Sequence, residues 1–151
     1  MKKHFLLLFI GLHLLACSKD STEPVPAAIT TAFGQEFDLR YRQQALLTAL
    51  QSPELTVKLT DLSYAICPKN SLCFLPDSAT PTLAITDAQG QTQQLILGGS
   101  HPRPNTSDYL DSASVRANGR RYMVYFTKWR IDGAASAPQQ KDFLITLRVA
   151  K

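Results

Sequence analysis

The chain has 151 residues, a formal charge of +4 and three cysteines. That length suits one domain with an appendage, and 44% hydrophobic with 19% charged residues excludes wholesale disorder. An odd cysteine count excludes a framework made only of intrachain disulfides.

Residues 1–16 have the layout of a secretory signal peptide. Lys2 and Lys3 give a positive start, and Phe5 to Ala16 is an apolar run broken only by His13. A helix needs about twenty apolar residues to cross a bilayer, so this run is too short for a standard anchor. It ends in Leu14-Leu15-Ala16-Cys17. That tetrapeptide resembles the bacterial lipobox, which implies cleavage before Cys17 and a diacylglyceryl group on its thiol. Cleavage removes both signal lysines and leaves 14 basic against 12 acidic residues, a net +2. The mature chain is expected at a cell envelope, tied to a membrane through Cys17. Ser18 follows the cysteine, with no Asp there to signal inner-membrane retention, and Cys17-Ser18-Lys19-Asp20 looks like the start of surface-exported lipoproteins. The outer membrane is the expected address.

Residues 17–32 are rich in Ser, Thr, Pro and Ala, with no sustained apolar period, and read as a flexible tether. A domain is expected over 33–151. Its apolar residues alternate with period two: Phe37, Leu39 and Tyr41; Leu55, Val57 and Leu59, then after a break Leu62 and Tyr64; Leu83 and Ile85; Leu95 and Leu97; Tyr122, Val124 and Phe126, then Trp129 and Ile131; and Phe143, Ile145, Leu147 and Val149. Asp87-Ala88-Gln89-Gly90 predicts a turn, and Asn118-Gly119 predicts a tight hairpin because both residues tolerate positive φ. Arg42 to Gln51 consists of good helix formers and fits a short helix as well as a strand at Ala45 to Leu50. Seven or eight short strands predict an all-β, antiparallel sandwich, Ig-like in size.

Phe37-Asp38-Leu39 with Gln44, Leu55-Thr56-Val57, Cys67-Pro68-Lys69-Asn70-Ser71-Leu72-Cys73, Tyr122-Met123-Val124 and Leu147-Arg148-Val149 follow one another along the domain. Together they resemble a family of uncharacterised bacterial secreted lipoproteins with a C-P-x4-C loop. The resemblance implies a strand at residues 43–50. It implies no activity, since none is known for the family. Two positions depart from its pattern: Ile66 stands where an Arg usually precedes the loop, and Phe74-Leu75-Pro76 replaces a V-W-x-G segment.

Cys67 and Cys73 are six apart in an exported chain, so a disulfide is expected. Closing so short a loop stabilises by about 2 kcal/mol on the chain-entropy model. The spacing is not that of a Cys-x-x-Cys redox pair. A pre-ordered ring displaying Lys69 has the form of a protease-inhibitor loop. His101, in Gly98-Gly99-Ser100-His101-Pro102-Arg103-Pro104, is the only histidine left after cleavage. A histidine-rich zinc site is therefore unavailable. No G-x-S-x-G elbow accompanies it, so a surface-loop role is favoured over a catalytic one. Lys69, His101 and Arg103 are the candidate binding-loop residues. No catalytic residue, metal site or cofactor is assigned.

The carboxylate neighbours Asp108 with Asp111, and Asp77 with Asp87, sit in no glycosidase motif. The turn after Asp87 lacks the spacing of a calcium loop. Arg116, Arg120, Arg121, Lys128 and Arg130 gather around one hairpin, too sparsely for a nucleic-acid face, and read as a solvated sheet edge. The sequence therefore favours a non-enzymatic envelope lipoprotein that binds a protein or carbohydrate, or serves a structural role. Trp129 or Tyr109 could stack on sugars. The rival is an inhibitor or hydrolase with its site in the loops around Cys67–Cys73 and Ser100–Asn105.

Overall fold

The computed structural model describes residues 24–49, 52–68, 70–98, 109–133 and 137–151. The period-two segments fold as strands. In chain order these are β1 (Ile29–Ala32), β2 (Glu36–Leu39), β3 (Gln44–Ala49), β4 (Ser52–Ala65), β5 (Ser78–Asp87), β6 (Thr92–Ile96), β7 (Asp111–Ala117), β8 (Arg120–Ile131) and β9 (Phe143–Ala150). A single 3-10 turn, Gln140–Asp142, precedes β9. Two sheets face each other, ordered β1-β3-β4-β5-β6 and β2-β9-β8-β7. Every pairing is antiparallel except β1 with β3, which is parallel. The all-β sandwich read from the sequence is the observed fold.

The core is the sum of the inward positions. Leu55, Val57 and Leu59 of β4 and Leu83 and Ile85 of β5 meet Tyr122, Val124 and Phe126 of β8 and Ile145, Leu147 and Val149 of β9. Each fully buried aliphatic side chain of this kind contributes roughly 2 kcal/mol of transfer free energy. Two apolar triplets are spaced by three instead of two, and a β-bulge absorbs each extra residue. One lies between Leu59 and Asp61 and returns Leu62 to the core. The other lies between Phe126 and Lys128 and returns Trp129 to the inward side, where it packs on Phe143. The break noted in the sequence is thus a register correction within one strand.

Residues 44–49 are strand, despite their helix-forming composition. Ala45 and Leu47 alternate inward with no exposed surface, and pairing on both sides with β1 and β4 overrides local propensity. The N-terminal edge differs from the expected boundary. Ile29–Ala32, inside the segment read as tether, forms β1 along β3 and supplies a ninth strand. Tyr41 lies beyond β2, in the turn where Arg42 takes a positive φ of 66°.

The strand directions separate the connections into two groups. At one end are the tight turns: Phe33 to Gln35, the turn after Asp87, and Asn118-Gly119. The last pair takes φ of 51° and 72°, the left-handed values a two-residue hairpin requires. At the other end are the turn at residues 40–43, the long β4–β5 connection with both cysteines, and the β8–β9 connection. The tether enters there too. Gln43 Nε2 donates to the Ala27 carbonyl at 2.8 Å, beside the level at which the Leu59 N–H donates to the Gln43 carbonyl. Because β1 runs parallel to β3, and β3 antiparallel to β4, the start of β1 and the end of β4 share one pole.

Candidate functional site

The looped pole begins with the extension of β4. Past Leu59 this strand has lost β3 as a neighbour and continues with β5 alone to Ala65. The β8–β9 connection braces it. Gln140 Nε2 donates to Asp61 Oδ1 at 2.8 Å and to the Leu62 carbonyl at 2.9 Å, and the Tyr64 hydroxyl donates to the Pro138 carbonyl at 2.6 Å. The Tyr64 ring packs on Phe143 with centroids 4.5 Å apart. An extension that would otherwise be an isolated ribbon is therefore held on the sandwich.

Beyond it Cys67 and Cys73 are joined by a disulfide, as their spacing suggested, with Cα atoms 5.9 Å apart. The Cys67 N–H donates to Asp77 Oδ1 at 2.7 Å and the Ser71 N–H to the Pro68 carbonyl at 3.1 Å. The first bond fixes the Cys67 foot of the ring, and the second closes a turn within it. The apolar side chains around it bury almost nothing: Leu72, Phe74 and Leu75 each expose 80% or more of their surface. With Ala65, Ile66 and Pro76 they line a shallow apolar cleft. Such an apolar tip on an otherwise ordinary surface is the feature most in need of a partner.

Cys17, Lys69, His101 and Arg103 lie outside the described residues, as does the loop Ser100–Asn105. Of the expected site residues, the structure brings together Cys67 and Cys73. Asp77 and Asp87 are not brought together. They stand at opposite ends of β5, whose ten residues span about 30 Å. Asp87 Oδ1 instead accepts from the Gln89 and Gln91 N–H groups at 3.0 and 2.8 Å, which closes its own turn. Arg116 and Arg121 face each other across the β7–β8 hairpin, with β7 at the edge of its sheet. Trp129 is partly buried against the core, and Tyr109 meets Tyr125 edge-on at 5.2 Å.

A second cluster, with no motif to announce it, lies at the opposite pole. Glu54 near the start of β4 is reached by the Tyr122 hydroxyl, by Lys151 Nζ at 2.7 Å and by Arg120 at 3.7 Å. Asn118 Nδ2 donates to the Glu54 carbonyl at 2.8 Å, and its Oδ1 accepts from the Ala88 N–H at 3.1 Å. The hairpin of one sheet is thus bonded to β4 and to the β5–β6 turn of the other. Lys151 also lies 4.2 Å over the Phe33 ring, which stacks on Tyr122. Burial by itself would raise the Glu54 carboxyl. The hydrogen bonds from Lys151 and Tyr122, with the charges of Lys151 and Arg120, outweigh it and hold the group below its ordinary value. Burial and the bond to Glu54 push the Tyr122 phenol above its ordinary value. Each group is moved away from neutrality, the reverse of what proton transfer at neutral pH needs. The cluster is a clasp between the sheets. Glu54 is 64 to 97 residues from Asn118, Tyr122 and Lys151 along the chain, so no local motif announces the cluster.

Among the described residues no helix is long and apolar enough to cross a membrane, and no three His, Cys, Asp or Glu side chains are grouped to hold a metal ion. No family model, curated protein or solved structure matches the chain.

Proposed function

We propose that this protein is a lipid-anchored component of a bacterial cell envelope, held through Cys17, whose sandwich acts as a binding or structural module rather than as an enzyme. The observation that carries the reading is the apolar run ending in Leu14-Leu15-Ala16-Cys17, followed by a short polar stretch that leads straight into β1. The sandwich supplies a rigid body for that anchor. The disulfide ring supplies an exposed, pre-ordered surface for binding, which lowers the ordering cost of association. The ring is also compatible with membership of the uncharacterised C-P-x4-C lipoproteins that the sequence resembles. The outer membrane is the proposed address, on the strength of Ser18 after the cysteine.

The test is membrane fractionation with metabolic palmitate labelling, in the parent and in Cys17→Ala. Label and membrane association in the parent, both lost in the variant, are expected. A variant that stays in the membrane fraction overturns the anchor. A hydrolase activity of the purified protein abolished by His101→Ala would overturn the non-enzymatic part.

A further inference from the structure

Exposed apolar surface is not spread evenly over this molecule. Among the described residues the large apolar side chains that stand exposed are Val25, Tyr64, Leu72, Phe74, Leu75 and Ile96. Val25 lies on the entering chain, Tyr64 at the end of β4, and Leu72, Phe74 and Leu75 around the disulfide ring. Ile96 ends β6 on its way back towards that pole, two residues after Gln94 has passed Ala84. The opposite pole carries Glu54, Asp87, Arg116, Arg120 and Lys151. The exposed apolar side chains gather where the tether enters, beside the exposed ion pairs Arg40–Asp132 and Arg130–Asp38 of that same end.

The lengths agree with that placement. Ala27 is fixed to Gln43, at the level of Leu59 on β4. From Leu59 the strand runs six residues further to Ala65, about 20 Å, and the ring stands beyond. From Ala27 back to Cys17 is ten residues, at most about 35 Å when extended. A bilayer that holds Cys17 is therefore within reach of the ring on the same side of the domain.

The geometry points to the ring as a second membrane contact: Leu72, Phe74 and Leu75 enter the lipid interface beside the acylated Cys17. This rests on the lipid anchor proposed above. One anchor alone leaves the domain free to tumble. A second, apolar contact on the same pole sets its orientation, with the Glu54 cluster turned away from the bilayer. The disulfide fixes Cys73, which stands between Leu72 and Phe74. Asp77, the described acid at the foot of the ring, has its carboxylate engaged by the Cys67 N–H.

The test uses the protein purified from membranes, its acylation read by mass spectrometry, and reconstituted in phosphatidylethanolamine–phosphatidylglycerol vesicles containing brominated phosphatidylcholine. Tryptophan reporters are placed by Phe74→Trp on the ring and by Gln89→Trp on the opposite pole, with the parent chain giving the Trp129 background. Both positions are exposed, so neither change threatens the fold. Insertion quenches the residue-74 reporter by roughly half or more and leaves the residue-89 reporter unchanged. An acylated chain with no quenching at residue 74, or equal quenching at both positions, overturns the ring contact and leaves the anchor standing. A chain without acyl mass overturns the anchor itself. Unquenched residue 74 in a chain that dimerises, with the dimer lost in Phe74→Ser, assigns the patch to a second copy and also overturns the proposal.

Discussion

Replacing Glu54 by Gln tests whether the clasp between the sheets acts through charge. The substitution keeps the shape and one acceptor oxygen, and removes the negative charge that Lys151 and Arg120 face. Hydrogen bonds to a charged group stabilise by about 1.5–3 kcal/mol and neutral ones by about 1 kcal/mol. Two such bonds, from Tyr122 and Lys151, would lose about 2 kcal/mol together. The Lys151 side chain is 35% exposed, and water screens part of its share, so the expected loss at pH 7 is about 1 kcal/mol. For a domain of this size that lowers Tm by about 3–5 °C. The folded Glu54 carboxyl lies below its ordinary value of 4.5. Its contribution is therefore complete above that value and is lost as pH falls through the folded value. Thermal melts of parent and Glu54→Gln followed by circular dichroism should differ at pH 7, and the gap should narrow as pH falls below 4.5 through the folded value. A gap that stays the same size down the acid limb would refute the argument and assign Glu54 a packing role. No gap at pH 7 would remove the clasp from the stability of the fold.

Four other outcomes follow from the core, a turn, the disulfide and the clasp. Phe126→Ala, at a fully buried position between the sheets, should cost about 3–5 kcal/mol in urea unfolding, and a cost below 1 kcal/mol would contradict the core described here. Gly119→Ala should cost about 1 kcal/mol through backbone strain alone, because φ is 72° while a Cβ there meets nothing within 4 Å. Cys67→Ser with Cys73→Ser should lower stability by about 2 kcal/mol without unfolding the sandwich, since the ring lies outside the core; a collapse of the β signal at 25 °C would refute that separation. Tyr122 should ionise only above its ordinary pKa of 10.0, so the stability it contributes persists to that pH and is lost as the phenol titrates, which phenolate absorbance reads directly.

The sandwich was legible because its signal is local. A buried face with period two can be read from each strand alone, and the intervals Leu59 to Leu62 and Phe126 to Trp129 carried the two bulges as gaps of three. Asn118-Gly119 announced its hairpin because few other pairs accept two positive φ values. Residues 29–32 were not legible. Ile29 and Ala32 of this segment offer little alternation, and it becomes a strand only because β3 presents an unpaired edge. The helix-forming stretch at 44–49 misled for a related reason: the two neighbours that make it a strand are remote in sequence or lie beyond the next turn. The Cys67–Cys73 ring could be anticipated from spacing and compartment. The Glu54 clasp could not, because Glu54, Asn118, Tyr122 and Lys151 have no common motif and meet only through the stacking of the sheets.

Where the entering chain meets the sandwich turns on the one parallel pairing among the described strands. Had β1 run antiparallel to β3, the entering chain would leave the sandwich beside the Asn118-Gly119 turn. β4 spans roughly 45 Å over its fourteen residues, so the ring would then lie at the far end of the domain from the chain that leads to Cys17. Ten residues of tether, about 35 Å, could not bring both to one plane unless the domain lay flat on its side. The four residue pairs from Ile29–Ala45 to Ala32–Thr48 remove that difficulty. They place the tether beside Gln43, the ring above it, and the Glu54 clasp at the opposite end, where the hairpins lock the sheets together. The parts of the chain that carry no core residues thus gather at one end and the interlocked turns at the other. The ring contact proposed above uses the looped end and leaves the Glu54 clasp in water.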